Sequence, residues 1–458
     1  MTIRSQHILF LVSALLSVSG LIAADNAISF RSQVAPILLE KCQTCHGPAS
    51  AKGGVRVDSF DFLMRKEDDG DPMVVPGKPE KSDLWKLLVT AETEERMPQK
   101  SDPLPKETTE IIRRWIAEGA HFDGTEKSAA LVEIVPPRTH PKAPESYTLP
   151  IPVTALVFSP DGSELVVGGV RELTVWNAST GALVRRISNV APRIFALAFH
   201  PDAAVIAAAG GAPGEFGEVR LFDFKTGEMR MQVAGSIDAI MDVKFSPDGK
   251  RLATAGADHH INIFTVETGA RIRHLSVHSD AVTSVAFSPD GKQLASVGLD
   301  RSAKVFDIES GKLVSTYREH TGPLYAVAFA PGGKEIISAG REKQIQQWSA
   351  ADAKKVRTLD EPDVLKFAVG EKTIFLGGAN KRLRQFDYAG AESKISFAPL
   401  TDWIYAVAVH SGTKRVAVGC YDGTVSIFNL DDGKAVTTFI PSPGYKALDT
   451  KSNKTAGH

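Results

Sequence analysis

The hydrophobic positions of the chain change their spacing between its first and second parts. In the stretches 30–38 and 111–116, apolar residues recur three and four positions apart. Residues at this spacing share one face of a helix. After about residue 150, short apolar runs of strand length alternate with turn residues instead. The pattern predicts a small helical domain followed by a larger domain built from β-strands.

The first part contains signals for three helices. Ser29 can cap the first helix, and Pro36 marks either its start or a kink. A short second helix is predicted over residues 82–88. Pro105 suits the beginning of the last helix, and Gly119 suits its end.

The second part is an internal repeat. A turn that first reads Ser159-Pro160-Asp161-Gly162 returns about every 40 to 46 residues, in progressively altered form. Its copies begin at residues 159, 200, 246, 288, 330, 369 and 410. Each copy is followed by a strand that ends near an aromatic residue: Trp176, Phe222, Phe264, Phe306, Trp348, Phe386 and Phe428. This period is typical of four-stranded propeller blades, so the seven copies predict a seven-bladed β-propeller.

These patterns divide the 458 residues into five segments. They are a signal peptide (1–24), a small all-α domain (25–124), a Pro-rich linker (125–147), the propeller (148–440) and a disordered tail (441–458). The predicted fold class is therefore multidomain, with an all-α domain followed by an all-β one. An apolar content of 43% suits ordinary packed cores, and a net charge of −1 argues against binding to nucleic acid or to a membrane surface.

The N-terminus has the composition of an export signal. A short apolar run follows Arg4, is interrupted by serines and a glycine, and ends in the small residues Ala23 and Ala24. We expect cleavage near Ala24, with an uncleaved anchor as the alternative. No later segment is long and apolar enough to span a bilayer, so no transmembrane domain is expected after cleavage.

The candidate chemistry lies in Cys42-Gln43-Thr44-Cys45-His46, which spells C-x-x-C-H, the attachment signature of a c-type haem. On a helix, Cys42, Cys45 and His46 share one face, so two thiols can bond the haem vinyl groups while the imidazole binds the iron. A thioredoxin-like dithiol would need a βαβ context, and a zinc site would need two more ligands. The motif predicts one covalent haem c, with Cys42 and Cys45 as thioethers and His46 as the proximal iron ligand.

Several residues are candidates for the distal ligand of the haem iron. Met64, Met73 and Met97 are available, and His121 would give a bis-histidine site. Met97 is preferred, because Met97-Pro98 falls on a loop between the two later helices, and a His/Met pair is common in electron carriers.

The first domain resembles a known family. The stretch 30–47, followed in order by 53–58, 76–82, 96–98 and 115–120, is similar to the planctomycete-type cytochrome c domain over about 95 residues. The resemblance implies a class I-like helical cytochrome with covalent haem, with His46 proximal and Met97 distal.

The repeats resemble the WD40 family, although the usual Trp-Asp pair is altered in all seven copies, as in Phe306-Asp307. The structural hydrogen-bond network of that family is matched best by His278, Ser296 and Asp300. His320 has no matching aspartate, because Arg341 and Glu342 fall there. We expect these histidines to be structural, and we expect Cys420, within an apolar strand, to be a core residue.

Together these features predict a periplasmic or secreted electron carrier rather than a catalyst. The propeller would dock an unknown redox partner protein. Two alternatives are a redox enzyme, with substrate chemistry in the propeller feeding electrons to the haem, and a haem-based sensor or scaffold.

Overall fold

The computed structural model describes residues 27–47, 50–65, 73–99 and 102–446. The chain forms two compact units, which comprise residues 1–136 and 137–458. The expected signal peptide, residues 1–24, and the end of the expected tail, residues 447–458, lie outside the described residues.

The first unit is a small helical domain, as predicted. Its helices are α1 (Ala35–Lys41), α2 (Gln43–His46), α3 (Phe60–Leu63), α4 (Asp83–Val89), α5 (Lys106–Ala117) and α6 (Leu131–Ile134). A π-helical turn, Phe30–Val34, precedes α1, and the two-residue strand β1 (Ser50–Ala51) follows α2. Ser29 caps the π-helical turn by accepting a hydrogen bond from the Ser32 N–H at 3.0 Å. The change from π to α geometry falls beside Pro36, which cannot donate a backbone hydrogen bond.

An aromatic cluster forms the centre of this unit. The ring of Phe30 lies 5.0 Å from that of Phe60 and 5.2 Å from that of Trp115, and the Phe60 and Phe122 rings are 4.8 Å apart. The buried indole N–H of Trp115 donates to the His121 carbonyl at 2.9 Å. Because aromatic side chains bury large apolar areas, this cluster fixes the segment before α1 against α5.

The expected linker, residues 125–147, is divided between the two units. Leu131 and Ile134 of α6 are buried in the core of the first unit, and the Leu131 N–H donates to the Asp58 carbonyl at 2.9 Å. Residues 138–147 belong instead to the second unit, where the Glu145 carbonyl accepts from Arg186 at 3.0 Å. The segment is held at both ends because its apolar and polar groups find partners, which a free spacer would lack.

The second unit is a propeller of seven antiparallel sheets, each formed by consecutive strands. Blades one to three contain β2 (Leu156–Phe158), β3 (Glu164–Gly168), β4 (Glu172–Asn177), β5 (Leu183–Ser188); β6 (Arg193–Phe199), β7 (Val205–Ala212), β8 (Phe216–Asp223), β9 (Met229–Ser236); and β10 (Ile240–Phe245), β11 (Arg251–Gly256), β12 (Ile261–Thr265), β13 (Arg271–Leu275). Blades four and five contain β14 (Val282–Phe287), β15 (Gln293–Gly298), β16 (Ala303–Asp307), β17 (Leu313–Tyr317); and β18 (Leu324–Phe329), β19 (Glu335–Gly340), β20 (Gln344–Ser349), β21 (Lys355–Asp360). Blades six and seven contain β22 (Val364–Val369), β23 (Thr373–Gly378), β24 (Arg384–Asp387); and β25 (Ile404–His410), β26 (Arg415–Cys420), β27 (Val425–Asn429), β28 (Ala435–Phe439).

The seven-bladed architecture is confirmed, and all seven predicted aromatic positions fall in the third strand of a blade. The sixth blade has three strands in the described part of the chain, one fewer than expected. After β24 the chain forms a single bridge between Phe386 and Glu392, and the Ser393 N–H donates to the Gln385 carbonyl at 2.8 Å. These contacts cover part of the edge that a fourth strand would pair with.

The ring closes between its first and last blades without a shared strand. The N–H groups of Tyr147 and Ile151 donate to the Pro443 carbonyl at 2.9 Å and to Ser442 Oγ at 3.1 Å, respectively. The Val153 N–H donates to the Cys420 carbonyl at 3.1 Å. Residues 441–443 are buried at this seam, so the part of the expected tail that the structure describes is ordered.

Candidate functional site

Cys42 lies at a break between two helices. Its N–H still donates to the Leu38 carbonyl of α1 at 3.0 Å, but its φ of −122° departs from helical geometry. Its carbonyl then accepts from the N–H groups of Cys45, at 3.1 Å, and His46, at 3.0 Å. The break starts the new turn α2, which places Cys42, Cys45 and His46 within one helical turn.

The backbone around His46 is fixed from the other side. The His46 carbonyl accepts from the Val57 N–H at 2.8 Å, and His46 forms a bridge with Ala51. Gly47 follows immediately, and a Cβ there would lie 2.5 Å from the Gln43 carbonyl oxygen. This close approach requires glycine and ends α2 directly after the imidazole.

Cys42, Cys45 and His46 are half-buried, and Gln43 is buried. Cys42 packs against the hydrophobic core, and burial, with the neighbouring Cys45, raises the pKa of its thiol to about 11. Both cysteines are free. His46 Nδ1 and Gln43 Oε1 are buried and have no hydrogen-bond partner in the described structure. A buried polar atom without a partner costs about 1–3 kcal/mol.

This donor set fits a c-type haem. Two thiols and one imidazole within a turn can supply the two thioether bonds and one iron ligand of that group. His46 Nδ1 and Gln43 Oε1 lie beside this donor set without a protein partner among the described residues.

Met97 lies against the same core as Cys42. It is half-buried, and its N–H donates to the Leu87 carbonyl of α4 at 2.8 Å, which holds the loop after α4 close to that helix. Met64 and Met73 also pack against this core. His121 is exposed, and its ring lies so close to Gly119 that a Cβ there would be 2.8 Å from Nε2. Of the proposed distal ligands, the methionines therefore contact the core, whereas His121 lies at the surface.

The propeller histidines are structural, as expected. His278 bonds Asp300 through Nδ1 at 3.0 Å and Ser296 through Nε2 at 2.8 Å. Burial acts to raise the pKa of Asp300, but the hydrogen bonds from His278 and Ser302 outweigh it and hold that pKa far below its usual value. The network joins β15 to the loop before β14 and to the turn after β15, which lie at the same end of the blade.

His320 is structural, as expected, and Glu342 supplies a carboxylate where the sequence has no matching aspartate. His320 Nδ1 bonds Glu342, and His320 Nε2 bonds Ser338 Oγ at 2.7 Å. Ser338 also accepts from the indole of Trp348 at 2.9 Å. The position could have been found from the sequence, since Glu342 follows Gly340 at the same offset at which Asp300 follows Gly298.

The described residues contain no group of three or more His, Cys, Asp or Glu side chains arranged to hold a metal ion. None of the helices in that part of the chain is long and apolar enough to cross a membrane.

Cys420 is fully buried in β26, which confirms it as a core residue.

The fold and the C-x-x-C-H turn define a protein with a small helical cytochrome-like unit and a seven-bladed propeller. Residues 42–101 match the family model for planctomycete cytochrome C, a segment that begins at Cys42 and includes Met97. Residues 269–307, 311–349 and 394–429 match the WD domain, G-beta repeat, and residues 234–287 match the anaphase-promoting complex subunit 4 WD40 domain. The chain is thus a planctomycete-type cytochrome c domain fused to a WD40-type propeller.

Similarity to curated proteins is partial. Mouse Coronin-7 is 32% identical over 120 residues, which are 24% of this chain and 13% of that protein. Protein groucho of Drosophila melanogaster is 29% identical over 112 residues, which are 24% of this chain and 15% of that protein. The chain spans less than a fifth of the length of either relative, so neither relative's function is transferred to it.

Proposed function

We propose that this chain is an exported electron-transfer protein that carries one covalent haem c and docks a redox partner protein on its propeller. The observation that carries the proposal is the single turn that presents Cys42, Cys45 and His46 beside unsatisfied buried polar atoms. The match to the planctomycete cytochrome C family, which includes these residues, supports it as well.

The proposal gives each residue of the site one role. Cys42 and Cys45 hold the haem through thioether bonds, His46 binds the iron, and Met97 is the distal ligand. A bound haem c supplies a one-electron carrier whose potential depends on its axial ligands and on burial. The core formed by α1, α4 and α5 limits the access of water to one side of the turn.

Export follows from the chemistry of the site and from the N-terminal sequence. Residues 1–24 have the order of charged, apolar and small residues that directs secretion. The proposed location is the periplasm or the exterior, with the signal cleaved near Ala24.

The docking role rests on the absence of an evident reactive centre in the propeller. No metal-binding cluster occurs in the residues that the structure describes, and the buried histidines are bound within structural networks. A rigid propeller with these features suits binding better than catalysis.

The test is expression in a bacterial host that attaches haem to exported proteins. We expect a red product whose haem stays on the chain in denaturing gels, and an unlabelled Cys42→Ala/Cys45→Ala variant. A colourless wild-type protein with two alkylatable thiols at these positions would overturn the proposal. A second cofactor in the purified protein would point to a redox enzyme instead. Carbon monoxide binding to the ferrous form would point to a sensor.

A further inference from the structure

One residue from each blade faces a common cavity in the propeller. In six blades the first strand carries a register shift near its start, which displaces one residue from regular pairing. The displaced residues are Phe195, Met241, Thr283, Tyr325, Leu365 and Tyr405. A bulge of this kind redirects a side chain, and all six line a cavity of about 240 Å³ together with Thr154 of the first blade.

The lining of this cavity is mostly apolar and aromatic, and its only charged side chains are two cations. Its other residues are Arg341, Lys366, Ala379 and Trp403, so no carboxylate faces it. The two threonine hydroxyls already donate to backbone carbonyls, Thr154 to Ile194 at 2.5 Å and Thr283 to Leu324 at 2.7 Å. The nearby Asp402 pairs with Lys381 at 3.4 Å. The charged groups left for a ligand are the ammonium of Lys366 and the guanidinium of Arg341.

The nearest acid to Lys366 is committed elsewhere. Asp242 forms an ion pair with Lys244 at 2.7 Å and accepts from Ser284 Oγ at 2.8 Å and from the Val285 N–H at 3.1 Å. Lys366 interacts with Asp242 electrostatically, but it forms no hydrogen bond with any residue that the structure describes. Burial lowers the pKa of Lys366, against the opposing effect of Asp242. An ammonium without a hydrogen-bond acceptor beside a mostly apolar cavity is a costly arrangement that a bound anion would relieve.

We propose that this cavity binds a small organic carboxylate with an aromatic or branched apolar body. The carboxylate contacts Lys366 and Arg341, and the apolar body packs among Phe195, Tyr325 and Tyr405. Ligand cavities with these proportions, mostly apolar with a few converging polar groups, are the common form of small-molecule site. The proposal does not depend on haem and applies equally to protein that lacks it.

The test is calorimetric titration of the full-length protein with N-acetylphenylalanine, and with N-acetylphenylalanine amide as the neutral match. We expect the carboxylate to bind at least ten-fold more tightly than the amide. Lys366→Met, which keeps the length of the side chain, should remove this preference. Lys372→Met, which changes an exposed lysine on a turn of the same blade, should retain it.

Equal affinities for the two probes, no binding by folded wild-type protein, or an unchanged preference in Lys366→Met would each overturn the proposal. If Lys366→Met does not fold, Arg341→Gln provides the same comparison, because Arg341 is exposed.

A pentapeptide ending in phenylalanine extends the test. If it binds more tightly than N-acetylphenylalanine and loses this affinity as an amide, the carboxylate is that of a chain terminus. If it binds more weakly, the ligand is a free small molecule.

Discussion

Glu342 accepts a hydrogen bond from His320 in the fifth blade, at the place where Asp300 meets His278 in the fourth. The side chains of His320 and Glu342 are 0% and 4% exposed. The longer glutamate therefore completes the buried network of the fifth blade, where the sequence has no aspartate that matches Asp300.

This pair should make the propeller sensitive to acid. Burial acts to raise the pKa of Glu342, but hydrogen bonds from His320 and Thr321 outweigh it and leave the pKa below its usual value. A carboxyl with a lowered folded-state pKa stabilises the fold above its unfolded-state pKa, near 4.5, and this stability is lost as the pH falls through the folded-state value. Glu342→Gln should thus be less stable than wild type at pH 7, with a difference that shrinks below pH ~4.5. Urea denaturation at pH 7 and pH 4 measures this, with the exposed Glu309→Gln as control. A constant difference between the two pH values would contradict the prediction.

Arg220 should be essential for the stability of the second blade. Its side chain is 1% exposed and pairs at 2.9 Å with Glu218, which is 3% exposed. Arg220→Met would leave Glu218 buried with His140 as its remaining partner, which should cost about 3–5 kcal/mol of unfolding free energy. Arg230→Met, which removes an exposed pair with Asp223, should cost less than about 1 kcal/mol. Chemical denaturation followed by far-UV circular dichroism compares the two variants, and similar losses would argue against the buried pair.

Met97→Ala should change the haem spectrum of the assembled cytochrome. Loss of a thioether ligand would leave the iron open to water or to another side chain, which shifts the visible bands and lowers the reduction potential. Met64→Ala is the matched control, because Met64 packs against the same core. Optical spectra of both oxidation states give the answer. The assignment fails if Met64→Ala alters the bands and Met97→Ala does not.

Cys420 should be inert until the propeller unfolds. It is 0% exposed, and burial, with a smaller effect of Asp422, raises the pKa of its thiol to about 11. In a Cys42→Ala/Cys45→Ala variant it is the single remaining cysteine of the three. We expect iodoacetamide at pH 8 to label this variant at least a hundred-fold faster in denaturant than in buffer. Rapid labelling of the native protein would show that β26 opens readily.

The sequence predicted the features that depend on local spacing. The aromatic residues from Trp176 to Phe428 all lie in third strands, because turn and aromatic positions recur within each blade. The C-x-x-C-H motif also depends on local spacing, and the structure places its residues within one helical turn.

Features that depend on contacts between distant segments could not be predicted in this way. Leu131 and Ile134 have helical spacing, but the prolines around them suggested a spacer, and only the core of the first unit shows what they pack against. The residues that line the propeller cavity are placed there by register shifts between paired strands. The sequence of one strand alone does not show such a shift. The identity of the distal ligand likewise depends on how the loop that carries Met97 folds back on α4.

The seam that closes the propeller sets the true limits of that unit. Tyr147 and Ile151 bond Pro443 and Ser442, although none of these four residues belongs to a strand. A truncation chosen from the strands alone, starting at Leu156 or stopping at Phe439, would leave the first and last blades facing each other without these bonds. The shortest propeller expected to stay circular therefore starts before Tyr147 and extends beyond Pro443.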